Sequence, residues 1–427
     1  MNRQTATFAI TDFKNYKQQM LSWANQFNIC CFLDNHQYNS PHHSTECLLA
    51  ANAYQHFTAN QNCIKDLKQF INSSNDWFFG HVNYDVKNEI FNTSSKHPNP
   101  IQFPEISFFI PEIVVELKQT EVIISCYNHL PQQVHLTISN TISTTSQHQQ
   151  SNNINIQSKI SKQEYLQAIH QLQKHILRGD CYEINYCQEF YAENATINPT
   201  ETYQKLSAIS PNPFSCYYKL GHQYLLCASP ERYVKKTGNT IISQPIKGTA
   251  KRNSASENIA KQNLQNSIKD KTENVMIVDL VRNDLSKICT QGSVKVDELF
   301  GIYTFPQVYQ MISTISGNIN HNIDFADVLQ ATFPMGSMTG APKKKVLELT
   351  EQYEQTKRGI YSGCVGYINP QKDFDFNVVI RSIMYNASNQ YLNYLVGGGI
   401  TFYSNAEHEY EECILKAAAI KKVLQAD

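Results

Sequence analysis

The amino-acid sequence predicts an α+β fold, and two observations lead to this prediction. Short runs rich in Ile, Val, Phe and Tyr recur along the chain between Asn, Pro and Gly residues, as is typical of strands joined by turns. Apolar residues at helical spacing, with recognisable capping residues, occur at only a few separate points. The chain lacks the regular alternation of strand and helix that a doubly wound sheet requires.

The N-terminal region, residues 1–142, is predicted to form strands with a few helices between them. Its strand-like runs are ICCFLD (29–34), DWFFGHVNYDV (76–86), ISFFIPEIVVEL (106–117) and TEVIISCY (120–127). Residues 143–158 are polar and low in complexity, so they bury too little apolar surface to offset the entropy lost on ordering. We therefore interpret 143–158 as a linker or exposed loop, with a third region at 159–427.

The region 159–427 opens with a predicted helix, because Ser161 and Glu164 have the spacing of a capping box and apolar residues follow at helical spacing. A strand is expected over 182–187, where apolar and polar residues alternate. Gly221-His222 and Gly238-Asn239 then have the character of hairpin turns.

The elements that follow are predicted in the same way. Ser254 and Glu257 form a second capping box, and the helical pattern after it is expected to break near Asp270. Asp324 is expected to cap a further helix, and Pro342 to lie in the first turn of another. The last predicted elements are the strands YSGCVGYI, FNVVIRSI and QYLNYLVGGGITF and the helix AEHEYEECILKAAAIKKVL.

Composition narrows the class of function. The chain is 41% hydrophobic and 17% charged with a net charge of −1, which argues against a nucleic-acid or membrane surface as the main partner. Its 12 cysteines are scattered without a C-x-x-C pair, which favours reduced structural thiols. The N-terminus has no signal-peptide pattern and no apolar run is long enough to cross a bilayer, so we expect a cytoplasmic protein.

A few polar residues are candidates for chemistry. Glu231 and Lys247 end two neighbouring strands and could face each other as acid and nucleophile, although each is also typical of a surface turn. The GSMTGAPK loop could bind an anion or simply cap a helix. Glu409 and Glu412, spaced i, i+3, could be metal ligands or a solvated pair. Together these groups suit elimination or substitution on a polycarboxylate.

Taken in order, several motifs resemble the chorismate-utilising enzymes, which include the anthranilate, aminodeoxychorismate, isochorismate and salicylate synthases. The motifs are SPER, PIKGT, ENVMIVDLVRNDL, FPMGSMTGAPK, IRSI, GGGI and ExxExxxK, and they cover roughly residues 160–425. The resemblance implies two interleaved subdomains whose large, mainly antiparallel sheets pack as an orthogonal sandwich. It places helices outside and the active site in the cleft between the sheets.

The resemblance also assigns the catalytic pair. Glu231 matches the family's general acid. Lys247, in PIKGT, stands where anthranilate and isochorismate synthases have PIAGT, and the lysine is a mark of the aminodeoxychorismate synthases, in which it is thought to attack the ring. This role requires Lys247 to be uncharged, so we expect burial to remove its proton.

By the same matching, a Mg²⁺ ion is implied, with Glu273 and Glu412 at its ligand positions and Glu409 nearby. Oxygen-only ligands suit this hard cation. Tyr361 and Arg381 are implied to hold the enolpyruvyl carboxylate, because a planar guanidinium binds a carboxylate in a bidentate manner.

The remaining substrate contacts implied by the resemblance are Ser337, the Gly399 amide and Lys416. Each has an alternative interpretation as an ordinary turn, strand or helix-surface residue.

Three departures from the family pattern stand out. Gln310 replaces a histidine, so that histidine's role does not carry over. Glu183 replaces a glutamine at the position where isochorismate-forming relatives have a water-activating lysine, which counts against water as the nucleophile. FLDN (32–35) replaces the L-L-E-S motif of tryptophan-binding members, so we do not expect tryptophan binding.

The implied reaction joins chorismate and ammonia into 4-amino-4-deoxychorismate, for para-aminobenzoate and folate synthesis. The chain has no space for a glutaminase with a Cys-His-Glu site, so a separate glutamine amidotransferase subunit is implied as the ammonia source. Two alternatives remain: an anthranilate synthase large subunit, and an inactive chorismate-binding or glutaminase-activating scaffold, which the changes at Gln310 and Glu183 would favour.

Overall fold

The fold is taken from a computed structural model, which describes residues 3–38, 42–142, 154–252, 257–305 and 308–425. The predicted linker is therefore outside the described residues over 143–153, and so is Ser254 of the second capping box.

The described residues contain helices and strands in similar amounts. The helices are α1 (Phe13–Ala24), α2 (Cys63–Asn72), α3 (Lys87–Phe91), α4 (Pro131–Ser139), α5 (Lys162–Leu177), α6 (Pro199–Ile209), α7 (Glu257–Asn266), α8 (Ile268–Ser286), α9 (Phe325–Thr332), α10 (Lys343–Tyr353) and α11 (Ala406–Leu424). The strands are β1 (Gln4–Ala9), β2 (Ile29–Asp34), β3 (Cys47–Ala59), β4 (Phe78–Val82), β5 (Ile106–Leu117), β6 (Glu121–Cys126), β7 (Gln157–Ser158), β8 (Glu183–Ala192), β9 (Phe214–Leu220), β10 (Gln223–Ser229), β11 (Arg232–Thr237), β12 (Thr240–Gln244), β13 (Ile246–Lys251), β14 (Lys295–Thr304), β15 (Val308–Asn318), β16 (Gly340–Ala341), β17 (Cys364–Ile368), β18 (Phe374–Asn377), β19 (Ser382–Asn386) and β20 (Tyr391–Ile400).

The strands pair antiparallel throughout the described residues, and they form two arms that branch from the long strands β3 and β5. The first arm has the order β1, β6, β5, β3, β2, β9, β10, β19, β20, β8, with the short strands β7 and β16 on β8. The second arm runs from β5 through β4, β17, β18, β11 and β12 to β15, which also pairs with β13 and β14. The predicted α+β class with large antiparallel sheets is confirmed.

Alternation along the strands builds two cores. In β2, Cys31 belongs to a core that also receives Val234 and Phe376 from the second arm, so the two arms share one apolar interior. The neighbouring residue Phe32 points the opposite way, into a core between the first arm and helices such as α5 and α11. This alternation is the pattern expected of a sheet buried on both faces, since successive side chains leave a strand on opposite sides.

Several predicted boundaries match the structure. Strands β2 and β5 coincide with the predicted runs 29–34 and 106–117. The Ser161 side chain accepts a hydrogen bond from the Glu164 amide and Glu164 reaches back, so the capping box that starts α5 is confirmed. The predicted helix break lies at Ser267, which caps α8, three residues before Asp270.

The predicted strand FNVVIRSI is wrong as a single element. The structure ends β18 at Asn377 and begins β19 at Ser382, and residues 378–381 between them belong to neither strand. Arg381 in this break has φ +53°, a left-handed conformation outside the range of regular strand residues.

All 12 cysteines are buried free thiols. Among the helices that the structure describes, we find none whose length and hydropathy fit a membrane span.

Candidate active site

The centre of the candidate site is an ion pair between the two arms. Lys247, on β13 of the second arm, donates a hydrogen bond from Nζ to Oε1 of Glu183, on β8 of the first arm, at 2.5 Å. The side chains are 10% and 2% exposed, so the contact is shielded from water. Glu183, one of the three departures from the family pattern, is therefore the direct partner of the predicted nucleophile Lys247.

Glycines on β20 make room for this pair. A Cβ atom on Gly399 would lie 2.6 Å from Glu183 Oε1 and 2.8 Å from Lys247 Nζ, closer than real Cβ contacts allow. Gly398 faces Glu409 and Lys416, where a Cβ would have its nearest contact at 3.5 Å. Close approach of charged groups to the backbone explains why the sequence has Gly at 399.

The Lys247 ammonium keeps its proton in this environment. Burial lowers the pKa of the amine, but the nearby carboxylates of Glu183, Glu273 and Glu231 outweigh burial and raise it above its ordinary value. The expectation that burial would remove the proton is therefore not met, because the lysine is buried among anions.

Glu231 has the opposite electrostatic character and is 5% exposed. Burial raises the pKa of its carboxyl to about 7, although Ser337, Lys247 and the Ile246 amide each favour the charged form. A carboxyl with a pKa near neutrality can hold and release a proton at physiological pH, as a general acid must.

The three carboxylates predicted near a metal differ in exposure to solvent and in their ion-pair partners. Glu273 on α8 is 7% exposed, and its buried Oε1 has no hydrogen-bond donor. Lys269 Nζ lies 3.9 Å from this oxygen and 3.0 Å from Glu409 Oε1, so the ammonium bridges the two glutamates. Glu412, one turn further along α11, is 47% exposed and pairs with Lys416 at 2.7 Å.

No cluster of three or more His, Cys, Asp or Glu side chains with metal-binding geometry occurs in the described ranges. A cation here would depend on fewer protein ligands, with water or a substrate supplying the others.

The α11 side of the site contains the remaining predicted substrate contacts. Lys416 Nζ donates to the Gly397 carbonyl at 3.0 Å, and Arg381 Nη1 donates to the Lys416 carbonyl at 3.4 Å. Tyr361 lies close enough to Arg381 to influence its pKa, and burial raises the pKa of the Tyr361 phenol, which keeps it neutral. A neutral phenol beside a guanidinium is a suitable binding site for a carboxylate.

A buried ion pair contacts the backbone of the loop that contains Ser337. Arg358 binds Glu354 through two hydrogen bonds, of 2.9 and 2.6 Å. Two other N–H groups of its guanidinium donate to the carbonyls of Met338 and Asn185, both at 2.8 Å. Ser337 lies in the 3₁₀ turn Gly336–Met338, so this arginine connects the serine's loop to β8.

The structure brings most of the predicted site residues together where the two arms meet. The ion pair contains Lys247 and is surrounded by Glu231, Ser337 and Gly399. Glu273 and Glu412 lie near enough to interact electrostatically with the titrating groups there. Glu409 and Lys416 adjoin them, and Arg381 and Tyr361 follow on the α11 side. The predicted roles of these residues stay predictions.

Two residues were missed by sequence reasoning, Lys269 and Arg358. Lys269 precedes Glu273 by one helical turn, so the i, i+4 spacing was a usable signal. Arg358 gives no such signal, because its contacts with Met338 and Asn185 join separate parts of the chain. Gln310, noted as a departure, is buried on β15 opposite Thr249, and its Oε1 has no hydrogen-bond partner.

A separate small cavity, open to solvent on one side, lies away from this cluster. Its lining includes Leu33, Asn35, Pro213, Phe214, Arg232 and Tyr367. The FLDN motif therefore contributes to a cavity, and the prediction that the chain does not bind tryptophan stays a prediction.

The sequence profile of the family described as chorismate binding enzymes matches residues 14–422. The chain belongs to this family.

Within the family, the chain is similar to proteins of two activities. It is 36% identical over 271 residues to aminodeoxychorismate synthase component 1 of Escherichia coli, over 63% of this chain and 59% of that protein. The protein of the same name in Bacillus subtilis is 33% identical over 264 residues, or 61% and 55% of the two chains. Anthranilate synthase component 1 of Saccharolobus solfataricus is 34% identical over 267 residues, or 62% and 63%. The matches span between 55% and 63% of the length of these relatives.

Solved structures agree on the fold. Anthranilate synthase component I of Streptococcus pneumoniae superposes with a TM-score of 0.78 at 23% identity, covering 91% of this chain and 96% of that one. The menaquinone-specific isochorismate synthase of Escherichia coli gives 0.75 at 17% identity, covering 99% and 95%. At these identities the likeness shows the fold alone.

Proposed function

We propose that this chain is the synthase component that converts chorismate and ammonia to 4-amino-4-deoxychorismate, a precursor for para-aminobenzoate and folate. The observation that carries the proposal is Lys247, a buried amine with Glu231 nearby as a carboxyl that can be protonated at neutral pH. Relatives named aminodeoxychorismate synthase component 1 support the same reaction.

In the proposed mechanism, Lys247 adds to the ring and is later displaced. Its neutral amine attacks C2, the two conjugated ring double bonds shift, and the C4–O bond breaks as Glu231 gives its proton to the departing hydroxyl, which leaves as water. Ammonia then forms a bond to C4, the two double bonds shift back, and the C2–N bond breaks. If ammonium is the form that arrives, Glu231 takes its proton and regains the acid form.

The substrate's two carboxylates need separate cationic or polar contacts. Arg381 and Tyr361 are proposed to bind the enolpyruvyl carboxylate. Ser337, the Gly399 amide and Lys416 are proposed as the other contacts. The enolpyruvyl group takes no part in the bond changes, so no pyruvate is expected.

The carboxylates on α8 and α11 fit Mg²⁺. The Glu273 Oε1 atom is buried without a donor, so a cation would satisfy it, and all the available ligand atoms are oxygens. Mg²⁺ commonly uses one or two protein carboxylates and keeps several waters, which agrees with the absence of a larger ligand cluster in the described residues. Glu273 and Glu412 would hold the ion, with Glu409 nearby, and the ion would neutralise a carboxylate of the substrate.

The ammonia source is proposed to be a separate glutamine amidotransferase subunit. The name "component 1" of the relatives implies a second component for those proteins. We expect the chain alone to use ammonium salts and not glutamine.

Product analysis tests the proposed function. Purified protein is incubated with chorismate, Mg²⁺ and an ammonium salt, and the product is treated with a separate lyase. We expect 4-aminobenzoate after the lyase step. Anthranilate with release of pyruvate would instead identify an anthranilate synthase, the second candidate, which the Saccharolobus relative favours.

Lys247→Ala tests the covalent step. We expect it to lower kcat by roughly 100-fold or more, since activated nucleophiles and their proton transfers contribute on that order. Full activity of Lys247→Ala would remove the covalent step and leave the reaction class intact. A wild-type protein that consumes no chorismate would favour the inactive scaffold.

Calorimetric titration tests the metal proposal without relying on activity. We expect Mg²⁺ to bind the wild-type protein in the presence of chorismate, and Glu273→Gln and Glu412→Gln to weaken this binding at least about 10-fold. Chelation should abolish turnover and Mg²⁺ should restore it. Unchanged Mg²⁺ affinity in both variants would contradict the assignment.

A further inference from the structure

The proposed function requires Lys247 to lose a proton before it attacks, because an ammonium has no lone pair. The mechanism above names no group that accepts this proton. The carboxylates that face this lysine are Glu183 from β8, Glu231 from the turn before β11, Glu273 from α8 and Glu412 from α11. Of these four, Glu183 is the one within hydrogen-bond distance of Nζ in the described part of the chain. Glu231 already has the task of protonating the leaving group.

We propose that Glu183 is the catalytic base that accepts the proton of Lys247. An Nζ–H bond breaks and an O–H bond forms at Glu183 Oε1, which leaves a neutral amine beside a neutral carboxylic acid. After ammonia displaces the lysine, the same proton returns to Nζ and restores the ion pair. The step consumes no co-reactant, and it rests on the proposed function above.

The geometry favours this transfer over release of the proton to solvent. The two heavy atoms are 2.5 Å apart and both side chains are at least nine-tenths buried. Moving the proton within the pair leaves the net charge of the site unchanged, whereas releasing it would leave an additional uncompensated negative charge in a dry site.

The second oxygen of Glu183 supports the same assignment. Oε2 is buried and has no hydrogen-bond partner, so the protein stabilises only one oxygen of the carboxylate. Among the described residues, Lys247 Nζ is therefore the donor from which this carboxylate can take a proton. Gly399 leaves room for this short contact, since a Cβ at that position would collide with both Oε1 and Nζ.

Glu183→Gln distinguishes a base from a residue that only holds the lysine. The amide keeps the shape and one hydrogen-bond acceptor but cannot take up a proton. If Glu183 is the base, chorismate consumption with ammonium should fall on the order of 100-fold or more. If it only keeps Lys247 charged, its removal frees the amine and the rate should stay the same or rise, which would overturn the proposal.

Glu189 provides the matched control. It is a second buried glutamate on β8, bonded to Tyr391 and Asn393 and not to the site. Glu189→Gln should keep kcat near that of the wild type, and thermal unfolding of both variants shows whether either loses stability. If Glu183→Gln fails to fold, Glu183→Asp replaces it in the test. Aspartate keeps the base and lengthens the transfer distance, so Glu183→Asp should lose less activity than Glu183→Ala.

Chemical rescue provides an independent measurement. Glu183→Ala leaves space for a small acid, and we expect formate to restore part of its activity while formamide, which has a similar size and no basic carboxylate, does not. Equal effects of both additives would overturn the proposal. Wild-type protein that consumes no chorismate would overturn the proposed function and this assignment together, whereas an active wild type with an equally active Glu183→Gln overturns this assignment alone.

Discussion

Glu231 illustrates how burial sets the proton affinity of one side chain. In the described part of the chain no ammonium forms an ion pair with its carboxyl, and burial raises the pKa to about 7 although Lys247 favours the charged form from a distance. A lysine that does not touch this carboxyl therefore stabilises its charged form too weakly to offset burial.

The pH dependence of catalysis should follow from the pKa of Glu231. If Glu231 is the general acid, as proposed, its protonated form is the active one, so the rate should be highest below about pH 7 and fall as the pH rises above it. Free ammonia must be kept constant across the series, because ammonium dissociates as the pH rises. Glu231→Gln should lower kcat by roughly 100- to 10,000-fold and lose this alkaline decline. A rate that keeps rising above pH 7 at constant free ammonia would contradict the assignment.

Gly399 and Gly398 form a matched pair of neighbouring positions on β20. Gly399→Ala would place a Cβ against Glu183 and Lys247, so we expect at least about a 10-fold loss of kcat from a displaced ion pair. Gly398→Ala meets its nearest atom at 3.5 Å, which is ordinary contact, and should lose much less. Steady-state kinetics of both variants check this, and equal losses would show that strand packing, and not the ion pair, is responsible.

The elements around the site were predicted with uneven success, for physical reasons. Nearly continuous apolar runs between polar and turn-forming residues determine β2 and β5 locally, so their ends were predicted from sequence. The break between β18 and β19 depends on the left-handed backbone of Arg381, which residue type does not indicate. The contact between Lys247 and Glu183 joins residues 64 positions apart, so no local pattern contains it. Lys247 was a candidate from its position in the predicted hairpin, and only the resemblance brought Glu183 to attention.

The loop after α10 contains the buried ion pair of Arg358 and Glu354, so substitution there should lower the free energy of unfolding strongly. Arg358→Ala would leave Glu354 buried without its partner, so we expect a loss of about 3–5 kcal/mol in the free energy of unfolding, together with displacement of the Ser337 loop. Arg282→Ala breaks an exposed pair with Asp279, 52% and 62% exposed, and should change stability by about 0.5 kcal/mol or less. Urea denaturation measures both, and equal losses would contradict the importance of the buried pair.

For the whole molecule, the strands of residues 1–142 are inserted among those of 159–427. Strand β2 pairs with β9, and β4 pairs with β17, so each arm contains strands from both regions. The division predicted from sequence therefore separates paired strands.

A fragment of residues 159–427 should not fold alone. It would expose the paired edges of β9 and β17 and part of the shared core, which favours aggregation. We expect it to be insoluble or to lack a cooperative unfolding transition by circular dichroism, and co-expression with residues 1–142 to restore solubility. A soluble fragment with cooperative unfolding and amination activity would contradict this expectation.

The reactivity of the buried thiols can be used to follow local unfolding of the protein. A buried cysteine is unreactive towards alkylating reagents, so each of the 12 becomes labelled only when its surroundings open. Cys30 faces the core between the first arm and the helices, and Cys31 faces the core that the two arms share. Position-resolved mass spectrometry of labelling at these two adjacent residues would therefore show which side of one strand is exposed first during unfolding.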